Sequence, residues 1–98
     1  MHWDWDPEKN RTNLIKHGIT FETATRVFLD PFAITGLDRY ENGEERWKTV
    51  GMISGLMVIV VAHTVADDED GIEGRIISAR HATQGERKWY EQERLRDI

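Results

Sequence analysis

The chain has 98 residues, 39% of them apolar and 32% charged, with a formal net charge of −5 and no cysteine. A chain of this size hides roughly two thirds of its unfolded surface on folding, so one domain over residues 1–98 is expected. Disulfide scaffolds and thiolate metal sites are excluded, and the acidic balance argues against a protein that merely coats nucleic acid, where phosphate neutralisation supplies most of the affinity.

Trp3 and Trp5 alternate with His2, Asp4 and Asp6, as on a short half-buried strand. Asp6 then caps a helix with Pro7 at its first position, and Gly18 supplies a left-handed stop, which predicts a helix over Pro7–His17. A second helix starts at once: Thr20 caps it, and Phe21, Ala24, Val27 and Phe28 fall on one face. "LDP" closes it, because the residue before a proline is pushed out of helical geometry.

The period then changes to two. "FAITGLD" (32–38) predicts a weak strand, "RWKTVGMI" (46–53) a better one, and "LMVIVVAHTV" (56–65) a strand buried on both faces. "SG" between the last two predicts a tight hairpin turn. The same apolar run is far too short to cross a bilayer, and the N-terminus lacks a secretory pattern, so a cytoplasmic protein without membrane contact is expected. Residues 66–74, "ADDEDGIEG", carry five acids and no base, while 75–98 carry six Lys or Arg against four acids. "IEGRIISARHA" (72–82) predicts the last strand. Thr83 and Glu86 then form a capping box opening a helix over Gln84–Arg96. The order implies an α+β fold, two N-terminal helices and a C-terminal helix on a small antiparallel sheet.

Strand alternation sorts the polar groups. In a regular last strand Arg75, Ile77, Ala79 and His81 share one face and Ile76, Ser78 and Arg80 the other, so Arg75 and Arg80 cannot line one site unless a bulge intervenes. Arg75 is expected to answer the acidic loop. With antiparallel neighbours, Arg46, Lys48, His63, Arg80 and His81 are expected to gather at one end of the sheet. A group of Arg, Lys and His without cysteine, a glycine-rich loop or a carboxylate triad suits metal-independent RNA cleavage by the RNA's own 2′-hydroxyl. That reaction needs a base, an acid and a guanidinium for the charge that develops on phosphorus. Arg80 fits the last role through its planar fork. His63 and His81 are acid/base candidates, since an unperturbed imidazole titrates near pH 6.5.

Blander readings stand beside these. A strand-end arginine is more often a surface ion-pair partner, His63 beside apolar residues can be a satisfied core histidine, and Tyr90 and Trp89 on an amphipathic helix are more often packing. "DDEDG" lacks the ligand pattern of a calcium loop, His2, Asp4 and Asp6 lack a second histidine at zinc spacing, and "KHG" (16–18) is a helix end from which His17 could still project.

"WDPEKNRTNLIKHGITFETATRVFLDP", "GEERWKTVG" and "RIISARHATQGERKWYE" together resemble the BrnT family of toxins in type II toxin–antitoxin modules. The resemblance implies a RelE-like fold and a metal-independent endoribonuclease that needs no cofactor and blocks translation. It also implies neutralisation by a BrnA-like ribbon-helix-helix antitoxin, in an assembly such as a heterotetramer that represses its own operon, with operator DNA contacted through the antitoxin. By position the family's site residues fall on Arg46 or Lys48, on Arg80 or His81, and on Tyr90, with Glu45 as a candidate base. Where similar sequences carry a second basic residue directly after "SAR", this one has His81, which weakens phosphate attraction there. Two other functions compete: an antitoxin-binding module with weak or no nuclease activity, and a homodimer whose self-interface is lined by Trp3, Trp5, Trp47 and Trp89.

Overall fold

A computed structural model describes residues 2–66 and 71–96; the acidic stretch 67–70 lies outside the described residues. Strand β1 (His2–Asp4) leads into helix α1 (Pro7–His17) and the short α2 (Phe21–Ala24), continued by a 3-10 helix over Thr25–Leu29. Strands β2 (Ile34–Glu41), β3 (Glu44–Ile53), β4 (Met57–His63) and β5 (Ile72–His81) follow, then α3 (Gln84–Arg96). The sheet order is β1-β5-β4-β3-β2. β2 to β5 pair antiparallel, but β1 adds to the outer edge of β5 in parallel, so the sheet is mixed and not antiparallel throughout.

The helix ends form as local chemistry dictates. The Asp6 carboxylate accepts from Glu8 N at 2.9 Å, and Gly18 at φ 72 donates its N–H to Leu14 O. The expected second helix is only four residues long before it tightens. Thr20, Thr23, Thr25 and Val27 are β-branched and stiff at χ1, and the Thr25 hydroxyl turns back to Glu22 O at 2.6 Å. Asp30 ends the segment in extended geometry ahead of Pro31.

Two hairpins turn on residues with positive φ. Asn42 and Gly43, at φ 54 and 78, form a two-residue turn that matches strand twist, whereas Ser54 and Gly55, at φ 57 and 69, are continued by Leu56, because Ile53 pairs with Met57. The Asn42-Gly43 turn carries β2 on to Glu41, three residues past the predicted strand.

The two faces of the sheet are covered differently. On one, Ile19, Phe21, Ala24 and Val27 pack on Ile53, Ile59, Val61, Ile76 and Ala79, with Trp3, Trp5 and Phe28 at the margin. Each of the fully buried Val, Ile and Phe side chains contributes about 1.5–3 kcal/mol by burial. Gly51 makes the close approach there possible, since a Cβ on it would stand 2.9 Å from Val27 Cγ1. On the opposite face α3 covers one end only, through Tyr90 on Val50, Val58 and Val60, with Phe32, Ile34, Met52 and Trp89 around them.

β5 contains the irregularity that matters most. Ala62 pairs with Ser78 but His63 pairs with Ile76, so Ile77 is an extra residue in the ladder. The bulge lets Ile76 and Ala79 enter the same core, which strict alternation forbids. Asn13 of α1 holds the strand there: its side chain is buried, donates to Ile19 O at 2.9 Å and Ala79 O at 2.8 Å, and accepts from Ala79 N at 3.2 Å. Among the described residues no helix is long and apolar enough to cross a membrane.

Candidate active site

The bulge changes which cations share a surface. Because alternation resets at Ile77, Arg75 falls on the face of Ser78 and Arg80, the face to which Glu44, Arg46 and Lys48 of β3 also belong. The structure therefore reverses the expected separation of the two arginines. Arg75 Nη2 lies 3.0 Å from Glu44 Oε1, which Arg46 Nη2 shares at 3.3 Å; its expected pairing with the acidic stretch falls on residues 67–70, outside the described residues. Two residues further along β3, Lys48 Nζ stands 3.6 Å from Glu86 Oε2, and Arg80 takes the same carboxylate with both ends of its fork, Nη1–Oε1 at 2.7 Å and Nη2–Oε2 at 2.9 Å. A continuous strip runs across the uncovered part of this face: Arg75, Glu44, Arg46, Lys48, Glu86, Arg80. Four cations meet two carboxylates, so the strip is net positive in a protein that is net negative.

Glu86 has three duties at once. It accepts from Thr83 N at 2.8 Å while Thr83 Oγ1 accepts from Glu86 N at 3.2 Å, the reciprocal bonds expected of the capping box. It also orients Arg80 and Lys48. The Arg80 guanidinium, chiefly by its hydrogen bonds, holds the Glu86 carboxyl down to about 2 against the opposing effect of burial, with the Thr83 amide helping. Glu86 is thus ionised at any ordinary pH, and the same bonds raise Arg80 above its usual range. Arg80 spends its Nη1–Nη2 end on Glu86 and one further Nη1 bond on His81 O at 3.3 Å. Its Nε makes no hydrogen bond among the described residues, and its side chain is 40% exposed. The Nε–Nη2 edge of the guanidinium is therefore open to a second anion.

The other anticipated residues do not gather with these. His63 lies on the opposite face and is 2% exposed, wedged edge-on against Trp3 and Phe28. Its Nδ1 donates to Thr64 O at 2.9 Å, which leaves Nε2 to accept from the Thr49 hydroxyl at 2.7 Å, and Thr49 in turn accepts from Thr35 at 2.7 Å. Burial, partly offset by the bond to Thr64 O, holds its pKa below the ordinary imidazole value. Both ring nitrogens are engaged within the core. Tyr90 is equally committed: its hydroxyl donates to Asp30 Oδ2 at 2.6 Å, beside bonds to Asp30 from Met52 N at 2.7 Å and Phe32 N at 2.9 Å. Burial and the Asp30 carboxylate push the Tyr90 hydroxyl well above its usual range. At Asp30 burial works against the charge, yet the bonds from Tyr90, Met52 and Phe32 outweigh it and keep the carboxyl below its ordinary value.

His81 ends β5, exposed, and pairs with Ile59 on the face opposite Arg80. Glu45 is exposed and pairs with Tyr40, on the face opposite Glu44. Neither side chain makes a hydrogen bond or ion pair among the described residues. His17 sits at the end of α1 beside Lys16, in a groove with Thr12, Ile77 and Ser78, away from the strip. The four tryptophans do not form one patch: Trp3 stacks on Phe28 at 4.2 Å, Trp5 meets Phe21 edge-on and Trp47 lies on β3 across from His63, whereas Trp89 packs on the other face under Lys48. Glu44 and Glu86, which organise the cations, were not anticipated as site residues. Glu86 was legible as a cap, but nothing in the local pattern says what else a capping glutamate will touch.

Comparison with known proteins agrees with this architecture. The profile of the ribonuclease toxin BrnT of type II toxin–antitoxin systems matches residues 5–86. The chain belongs to the BrnT family. The crystal structure of the Brucella abortus ribonuclease toxin BrnT is similar at a TM-score of 0.61 and 26% identity, over 86% of this chain and 100% of that one. No protein in the curated set matches. The matched segment holds every residue of the strip, so the BrnT family relation and the cation geometry refer to the same part of the chain. As a member of a ribonuclease toxin family of type II systems, the chain has an antitoxin as its implied partner.

Proposed function

We propose that this BrnT-family chain is a metal-independent endoribonuclease, acting as one RelE-like domain in the cytoplasm, which cleaves mRNA through attack by the 2′-hydroxyl and so inhibits translation. The observation that carries this reading is the strip, above all the open Nε–Nη2 edge of Arg80 beside Lys48. A guanidinium already oriented by Glu86 offers two parallel donors to the non-bridging oxygens of a phosphate, where charge grows in the transition state, and donors fixed beforehand need no reorganisation. A strip of four cations repels a divalent ion and supplies the charge stabilisation that such an ion otherwise would.

Glu86, held to about 2, is too weak a base for proton abstraction near neutrality and acts as the clamp. Glu45 and His81 stay the candidates for proton transfer, exposed and without a hydrogen bond or ion pair among the described residues, but their side chains lie on the face opposite the strip, so the strip's own part is charge stabilisation. The activity is held in check by a BrnA-like ribbon-helix-helix antitoxin, and the toxin–antitoxin assembly, a heterotetramer, contacts operator DNA through the antitoxin and represses the operon. Incubating the purified chain with RNA in EDTA tests the chemistry: products ending in 2′,3′-cyclic phosphate are expected, and cleavage that vanishes with EDTA and returns with a divalent ion overturns it.

One observation favours the second reading, an antitoxin-binding module with weak or no nuclease activity: Glu86 fills the end of Arg80's fork. Growth arrest on expression that disappears with Arg80→Ala, while antitoxin binding persists, decides against it.

A further inference from the structure

The bulge at Ile77 places Arg75 about four residues, or roughly 13 Å, along the sheet from Arg80 and on the same face. Between them the strip is continuous through Glu44, Arg46 and Lys48. Two cation groups of the same design result, each a pair of basic residues fixed by one glutamate: Arg80 and Lys48 on Glu86, Arg75 and Arg46 on Glu44. Only the first lies against α3. The second lies beyond α3: the Arg75 side chain is 42% exposed, whereas that of Arg46 is 15% exposed beneath it, its Nε buried with no hydrogen-bond partner among the described residues. A single phosphate cannot reach both groups.

We infer that Arg75 and Arg46, held by Glu44, form a second phosphate subsite for the chain of a single-stranded RNA whose scissile phosphate lies at Arg80 and Lys48. The inference rests on the ribonuclease reading for the identity of the first subsite, while the second is argued from placement alone. Charge favours RNA over an acidic polypeptide here: phosphates repeat regularly along a strand, and the cations repeat along the strip. Contact between the backbone of a single strand and such a cationic track needs no base recognition, so the subsite supplies affinity without sequence preference. Arg75 is thus a binding residue, outside the reacting atoms.

The test is length dependence. Binding of 2′-O-methyl RNA, which lacks the attacking hydroxyl, is measured by fluorescence anisotropy for a dinucleotide and a hexanucleotide at several salt concentrations. The wild-type chain is expected to bind the hexanucleotide more tightly and with a steeper salt dependence. Arg75→Ala should weaken the hexanucleotide about tenfold and shallow its salt slope by about 0.7, the contribution of one phosphate contact in a single strand, while leaving the dinucleotide unchanged. Arg75→Lys should restore most of the slope, which a merely structural role would not do. If Arg75→Ala binds both lengths as the wild type does, or loses both equally, the subsite is overturned. It is overturned too if the substitution weakens antitoxin binding and spares both RNAs. Cleavage of unmodified RNA is assayed in parallel: a wild-type chain that fails to cleave but shows the length effect defeats the ribonuclease reading and keeps the subsite. One that cleaves without the length effect does the reverse.

Discussion

The two faces of this sheet receive similar residues from the sequence and use them in opposite ways. On the face under α1 and α2, His63 is buried and neutral, and both of its nitrogens are bonded to Thr49 and Thr64. On the face half covered by α3, two glutamates hold four basic side chains in ion pairs, with Arg75 and Arg80 the more exposed of them. The difference lies in where the cover ends. A polar group inside the cover must find all its partners in the protein or cost about 1–3 kcal/mol, whereas one at the margin keeps a donor free for a ligand. A titratable residue on a strand is thus informative about function only after the extent of its cover is known.

The sharpest way to break this contrast is Arg80→Ala. If the charged face does the chemistry, RNA cleavage in single turnover should fall about 10²–10³-fold, with a stability change of roughly 1 kcal/mol in urea. His63→Ala should do the reverse: a loss of about 3 kcal/mol, from an emptied core site and a stranded Thr49 hydroxyl, with cleavage per folded molecule unchanged. A folded His63→Ala chain without activity would show that the faces are not divided as described.

Acid should separate the faces as well. His63 binds its proton more readily unfolded than folded, so its contribution is complete above pH about 6.5 and falls as pH drops below that. The Glu86 carboxyl, at about 2 against an ordinary 4.5, contributes about 2 kcal/mol once the partial exposure of Arg80 is allowed for; this is complete above pH 4.5 and is lost between there and 2. Urea midpoints followed from pH 8 to 2 should show two descents, and Glu86→Gln should flatten the lower one only. The smallest effect is expected at Tyr90→Phe, where Asp30 keeps its two amide donors and loses one hydroxyl: about 1 kcal/mol, and no change in the chemical step.

How much of this was legible depends on how local its cause is. α1 and α3 have the bounds that Asp6, Pro7, Gly18, Thr83 and Glu86 dictate, because a cap is satisfied within a few residues. The Ser54-Gly55 turn was legible for the same reason, and Asn42-Gly43 carried an equal signal that extends β2. The parallel docking of β1 was not legible, since pairing on the far edge of β5 depends on residues about seventy positions away. The bulge is the most instructive case. No glycine or proline marks Ile77; the extra residue is fixed by Asn13, 66 positions before Ala79, and by a core that accepts both Ile76 and Ala79. Family resemblance pointed to Arg46 or Lys48, to Arg80 or His81, and to Tyr90 and Glu45; of these Arg46, Lys48 and Arg80 share one strip, and their meeting with Glu44, Glu86 and Arg75 is a product of that bulge and of the placing of α3.

The capping box has a consequence in the order of synthesis. The carboxylate that opens α3 is also the one that fixes Arg80 and Lys48, so these two cations have no clamp until that helix has begun. β5, which lies between β1 and β4 in the sheet, is made after both of these neighbours. A nascent chain that ends before residue 86 has its cations unplaced. Competence of the charged face therefore waits on residue 86, whatever the rest of the sheet has already done.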